Sequence, residues 1–340
     1  MMPLERTKAN ALDWLLETEA PGVRYLALRD LVGRTETDPE LQDARRVAHQ
    51  QGPIAKVLDA MAPAGYWVKP GPGYGPKYHS SVWAMILLAQ LGAQMAVDER
   101  IGTACCYMLD HALAPQGQFS YNGAPSGTFD CLQGNLCWAL LALGCTDARL
   151  DSAFDWMARS QTGCGVAPQT EKKAERRYYT YKCGPNFECG ANNRQPCGWG
   201  AVKVMLAFGK LPPQKRTAEI YQAIQRGVDF LFSVDPARAT YPTPEGQPPS
   251  QNWWKFGFPV FYVTDLLQNV EALAALGYGT DPRLAPSLAI IHDKQDAAGR
   301  WIMEYDYTGK TWSSFGPRKK PNKWVTLRAL RVLKLAEGHL

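Results

Sequence analysis

The 340-residue chain has no apolar run long enough to cross a membrane: the longest, Val82 to Ala89, is far short of the ~18 residues a span requires. Its start, Met1 to Lys8, leads into a polar amphipathic stretch and lacks the apolar centre of a secretory signal, so a cytoplasmic location is expected. It also lacks a strong bias of charge. Thirty-seven basic against 32 acidic residues leave +5, too even a balance for a dedicated nucleic-acid binder, so any anionic partner has to be held by local placement. Tight Cys-x2-Cys knuckles are missing, and the chain is well above the size that depends on disulfide staples. Its nine cysteines, an odd number at irregular spacing, therefore point to thiols, a metal site or both. With 46% apolar and only 20% charged residues, disorder is excluded.

What the chain does have is a repeat. Leu91-Gly92 to Asp98-Glu99-Arg100-Ile101, Leu143-Gly144 to Asp147-Ala148-Arg149-Leu150 and Leu276-Gly277 to Asp281-Pro282-Arg283-Leu284 share one pattern, with a looser copy at Thr37-Asp38-Pro39-Glu40-Leu41. Gly suits the end of one helix and Asp the N-cap of the next, so each copy reads as a helical hairpin. Prolines recur where first helices begin, at Pro76, Pro196, Pro259 and Pro321, and weaker starts lie near Pro21 and Asp130. Six first helices result, starting near 23, 79, 131, 197, 261 and 322, roughly 50 to 66 residues apart.

The first helices, such as Val82–Ala89 and Leu136–Leu143, are apolar nearly all round and are expected to be buried. The second helices, such as Ala218–Val228, carry one apolar stripe and belong outside. The expected fold is all-α: an α/α toroid of about six hairpins, with an open solenoid as the alternative. It forms a single domain over 1–340, with N-terminal helices in 8–60 completing the ring and a long mouth loop at 163–196. No contiguous apolar patch is evident on the outer helices, so a monomer is expected.

In such a ring all inner helices run the same way, and their N-termini gather six partial positive charges at one opening. Cys183, Cys189 and Cys197 lie in one Gly/Asn/Pro-rich loop, and Cys131 starts the preceding inner helix, so all four can reach that end. Four thiolates suit tetrahedral zinc, with His79 as a substitute for Cys183; free thiols, an iron–sulfur cluster and a disulfide stay open. Tyr74, Tyr78, Trp199, Trp253, Tyr262 and Trp324 cluster near inner-helix starts, where they can line an apolar substrate cavity or simply fill the ring. Lys77 and Lys255 can bind an anionic group there, and Asn135, Asn192 and Asn269 add polar contacts. Asp265, one turn into the helix of Tyr262, joins Tyr262 and His79 as a candidate catalytic group.

The loops Ala64-Gly65-Tyr66-Trp67, Gln116-Gly117-Gln118-Phe119 and Gln295 to Trp301, together with Cys131-Leu132-Gln133-Gly134-Asn135 and Cys189-Gly190-Ala191-Asn192, resemble those of the terpenoid cyclase and protein prenyltransferase toroid superfamily. The similarity is greatest to bacterial prenyltransferase-like (squalene cyclase-like) proteins of unassigned activity. It spans about Tyr66 to Leu335. It implies an isoprenoid substrate and either prenyltransferase-like or cyclase-like chemistry. The Asp-x-Asp-Asp acid of protonation-type cyclases, the Asp-Asp-x-x-Asp cluster of ionisation-type synthases and the Cys-His-Gly element of lanthionine cyclases are all absent. Two function classes follow: a metal-containing enzyme acting on an apolar, isoprenoid or diphosphate-bearing molecule, or a ligand- or peptide-binding toroid stabilised by a structural Cys–zinc site.

Overall fold

Capping and burial lay out the helices in the computed structural model, which describes residues 10–244 and 247–338. Residues 8 and 9 of the expected N-terminal helices lie outside this range. Six helices form an inner layer: α2 (Pro21–Ala27), α5 (Ser81–Gln90), α7 (Asp130–Ala142), α9 (Gly198–Lys210), α11 (Leu266–Leu273) and α13 (Lys323–Ala336). Around them lie α3 (Pro39–Gln50), α4 (Pro53–Asp59), α6 (Glu99–His111), α8 (Arg149–Thr162), α10 (Ala218–Leu231) and α12 (Ala285–Asp293). Neighbouring inner helices pack in the order α5, α7, α9, α11, α13, α2. The ring closes where Gly92, just beyond α5, lies against Tyr25 and Leu26 of α2. Among the described residues no outer helix follows α13. Instead α1, described over residues 10–15, approaches from the other end of the chain, where Lys323 pairs with Glu17 and sits 5.4 Å from the Trp14 ring.

The amphipathic division is as the periodicity requires. In α5 every residue from Ser81 to Ala89 is buried, whereas α10 buries Ile220, Ala223, Ile224, Gly227, Val228 and Leu231, a single stripe at three- and four-residue spacing. The glycine stops are real: Gly92, Gly144 and Gly277 have φ of 78°, 89° and 95°. Asp98, Asp147 and Asp281 each accept from the amide two residues on, and the arginine at that position folds back to grip the same carboxylate. Arg100 and Arg149 then reach Asp59 and Asp110 in the preceding outer helices, so this clasp also joins successive repeats, although Ala148 rather than the expected Asp147 is the N-cap of α8.

The aromatic loops repeat a second device. Trp67, Tyr241 and Trp301 each donate, at 2.7 Å, to the carbonyl ten residues earlier in the preceding outer helix: Val57, Leu231 and Ile291. A buried aromatic ring is thus pinned under these three hairpins by its one polar atom.

One expected helix start is corrected. The fifth inner helix begins at Leu266, not near 261. Asp265 is its N-cap, accepting from the Gln268 amide at 2.9 Å, and the lead-in is extended, with both backbone polar groups of Val260 held by the Gln90 side chain.

Candidate functional site

Most of the chemistry at the ring mouth comes from two short motifs. In Cys131-Leu132-Gln133-Gly134-Asn135, at the start of α7, successive side chains point to different tasks. Gln133 binds the Phe119 amide and the Gly117 and Ala153 carbonyls, anchoring the preceding loop. Gly134 lets α7 and α9 touch: a Cβ there would lie 2.4 Å from the Lys203 carbonyl carbon. Cys131 faces a cleft at the mouth and Asn135 faces the ring centre.

In Cys189-Gly190-Ala191-Asn192, strand β1 (Glu188–Cys189) pairs antiparallel with β2 (Gln195–Pro196). That register sets Cys197, one residue beyond β2, diagonally opposite Cys189 on the same face. The Cys197 thiol donates to the Cys189 sulfur and, with the backbone amides of Ala191 and Asn192, holds Cys189 below the ordinary thiol range. The same contact, together with burial, raises Cys197. Asn192 donates to the carbonyls of Pro196 and Pro242 at 2.8 and 2.9 Å, tying the hairpin to the 239–250 segment across the cleft.

The cleft has a volume of about 460 Å³, and its lining is mostly apolar: Trp199, Tyr241, Trp253, Tyr262 and a run of prolines, with Cys131, Cys189 and Cys197 on one wall. Burial pushes Cys131 up to about 12, aided by the nearby Cys189 and Asp130. Asp130 is 6% exposed; one carboxyl oxygen accepts from Gln161 at 2.9 Å and the other has no partner among the described residues. Burial holds this carboxyl well above its usual range, with the Cys189 charge adding to the effect.

The other expected site residues divide. Tyr74 packs on Trp83 at 5.2 Å, and Lys77 stands over the rings of Tyr74 and Tyr262 at 5.9 and 4.9 Å. Tyr78 belongs to a packed group with Trp83, Phe261 and Tyr307. His79 is away from the thiols, edge-on to Trp312 at 5.2 Å, and its carbonyl accepts from that indole. Lys255 is exposed after the turn Gln251–Trp254. Trp324 stacks on Phe258 at 4.6 Å and faces the ring centre rather than the cleft. Asp265 is held in a two-pronged ion pair by Arg328, both contacts 2.9 Å, so its carboxylate is occupied. Asn269 is fully buried, and neither of its amide atoms has a partner among the described residues.

The four-thiol set does not assemble. Cys183 is buried in a separate small cluster with Trp156, Val166 and Tyr178, inside the mouth loop. Among the described residues no group of three or more His, Cys, Asp or Glu side chains is arranged to hold a metal ion.

The ring centre also differs from an open aromatic chamber. Its cavity is only about 60 Å³, and Trp138, Phe258 and Trp324 share its wall with Lys203, Gln268 and Arg328. Lys203 was not among the expected residues. Its signal in the sequence is a lone lysine inside the apolar run Ala201-Val202-Lys203-Val204-Met205, where a solvated side chain has no place. No helix among the described residues is long and apolar enough to cross a membrane.

All-α, with an inner ring of helices and a thiol-bearing cleft at its mouth, is the class these observations define. No protein-family model and no curated protein matches the chain. Among solved structures it is similar to the type II terpene cyclase MstE from Scytonema. The apo form is 14% identical with a TM-score of 0.32, covering 87% of this chain and 97% of that one. A variant of that cyclase bound to merosterolic acid A, its product, is 13% identical with a TM-score of 0.34, covering 88% and 97%. Likeness at this level adds nothing to what the helices already establish.

Proposed function

We propose that the chain is an enzyme acting on an apolar molecule of the isoprenoid kind, whose body lies in the mouth cleft and whose reacting carbon meets the Cys189 sulfur. The carrying observation is the presence of three thiols on one wall of an apolar, aromatic cleft of about 460 Å³, a volume in the range of small-molecule sites. A thiolate is the nucleophilic form of cysteine, and Cys189 is the thiol whose surroundings favour it. Asp130, whose carboxyl is pushed up by burial, is the complementary proton donor, so two neighbouring acids are pushed in opposite directions. The faces of Trp199 and Tyr262 can stabilise positive charge at a carbon in the cleft, and Lys77 stands beside Tyr262 for an anionic end group.

The test combines labelling and turnover. Iodoacetamide at pH 7, followed by mass mapping, is expected to modify Cys189 at least about tenfold faster than buried Cys137. Farnesyl diphosphate should quench the cleft tryptophans and be converted, and Cys189→Ser should keep the quenching while losing conversion about 100-fold or more. Quenching without conversion in the unaltered protein would favour the second reading, a binding protein without chemistry. The prolines at 242, 244, 248 and 249 in its lining also suit that role.

A further inference from the structure

We infer that the centre of the ring is a binding site for a small oxyanion, a single phosphate, sulfate or carboxylate group, held by Lys203 and Asn135. Their cavity shares no lining residue with the mouth cleft, so the inference is independent of the enzymatic proposal.

Lys203 is 1% exposed, and its ammonium makes one hydrogen bond, to the neutral amide oxygen of Gln268. It has no ion pair among the described residues. The carboxylates that face it are not available to it: Asp265 is taken by Arg328 through both oxygens, and Glu271, one turn beyond Gln268, does not come within ion-pair distance. Asn135 lines the same cavity from α7, is 7% exposed, and its side-chain amide has no partner among the described residues.

The Lys203 ammonium has only a neutral partner and the Asn135 amide has none among the described residues, and both present N–H groups to one space. An oxyanion accepts from both; an apolar molecule answers neither, and a cation would be repelled by Lys203. Around them, Arg29, Arg328 and Arg331 complete four cations against the three carboxylates Asp30, Asp265 and Glu271. At about 60 Å³ the cavity suits one oxyanion group and is small for a diphosphate.

Burial pushes Lys203 down to about 7, with Arg328 acting in the same sense and Asp265, Cys131 and Glu271 opposing. Above that pH the amine is largely neutral, so an oxyanion must bring a proton with it. Affinity should therefore rise as pH falls toward 7 and level off below.

Sulfate, which does not titrate in this range, is the first probe, measured calorimetrically on the full chain at constant ionic strength, with phosphate and acetate as further arms. The expected result is saturable sulfate binding that weakens by about tenfold per pH unit above pH 7. Lys203→Met should reduce it more than about tenfold. Gln268→Glu, nearly isosteric, gives Lys203 an internal carboxylate and should abolish binding while the protein still melts cooperatively. Absence of binding in the unaltered protein at pH 6.5, or affinity retained within about twofold in Gln268→Glu, overturns the proposal. Acetate binding without phosphate or sulfate binding would restrict the ligand to carboxylates and overturn the broader oxyanion class.

Discussion

The mouth cleft and the ring centre are built largely from the same inner helices, yet they are opposite in character. One is wide, about 460 Å³, apolar and thiol-bearing; the other is tight, about 60 Å³, and crowded with charge. A single turn of α7 separates Cys131 in the first from Asn135 in the second. Depth along the helix accounts for the difference. At the mouth, backbone amides not used within a helix are free to stabilise an anion, and those of Ala191 and Asn192 act on Cys189 alongside the Cys197 thiol and Lys182. One turn further in, the amides are already taken, within the helices or, at Val260 and Gln268, by the Gln90 and Asp265 side chains. Polarity there has to come from side chains, which is where Lys203, Gln268, Asp265 and Arg328 appear.

The largest expected effect comes from the residue that holds the two regions at their present spacing. Gly134→Ala forces a methyl group against the Lys203 carbonyl, and neither backbone can yield cheaply. A loss on the order of 3 kcal/mol in chemical denaturation is expected, with both sulfate binding and Cys189 labelling disturbed. A loss below about 1 kcal/mol would mean that the α7–α9 contact does not set the geometry.

Next is Lys203→Met, which addresses the ring centre alone. The folded-state value of Lys203, about 7, lies below its ordinary 10.5. Between these two pH values the unfolded chain binds the extra proton, so the unaltered protein gains stability as pH rises from 7 toward 10.5, and the penalty is complete below 7. Relative to the variant, that gain should be on the order of a few kcal/mol in urea melts at pH 7 and 9.5. Parallel pH profiles would show that the ammonium is solvated. Cys189 labelling should not change.

The smallest effect concerns the cleft alone. Asn192→Ala removes the bonds to the Pro196 and Pro242 carbonyls and should cost about 1 to 2 kcal/mol. Cleft ligands should bind more weakly while sulfate binding is retained. Loss of both would show that the two regions are coupled through α9.

How far the sequence could be read depended on whether a signal was local. Gly92, Gly144 and Gly277 as stops and Asp98 and Asp281 as caps were legible because those roles are set by backbone conformation within a few residues. The inner helix after Pro259 was placed one turn early. Asp265 and Gln268 give an N-cap signal of their own, and the intervening extended segment is held by Gln90, 170 residues away. Cys183 was grouped with the other thiols by proximity in sequence, whereas its burial with Trp156 depends on the path of the mouth loop over α8. Positions near helix starts fix the height of a residue along the ring but not the direction of its side chain, and Trp324 accordingly faces the ring centre.

The charge and the cysteines mark the final division. By itself, the sequence determined an all-α chain of repeated helical hairpins, because caps, stops and apolar periodicity act over a few residues. Only the tertiary structure decided that three of the thiols share a cleft, that Asp265 is paired with Arg328 and that Lys203 has no ion pair among the described residues. Those facts are distances between residues far apart in the chain, and they arise only when the six inner helices close into a ring.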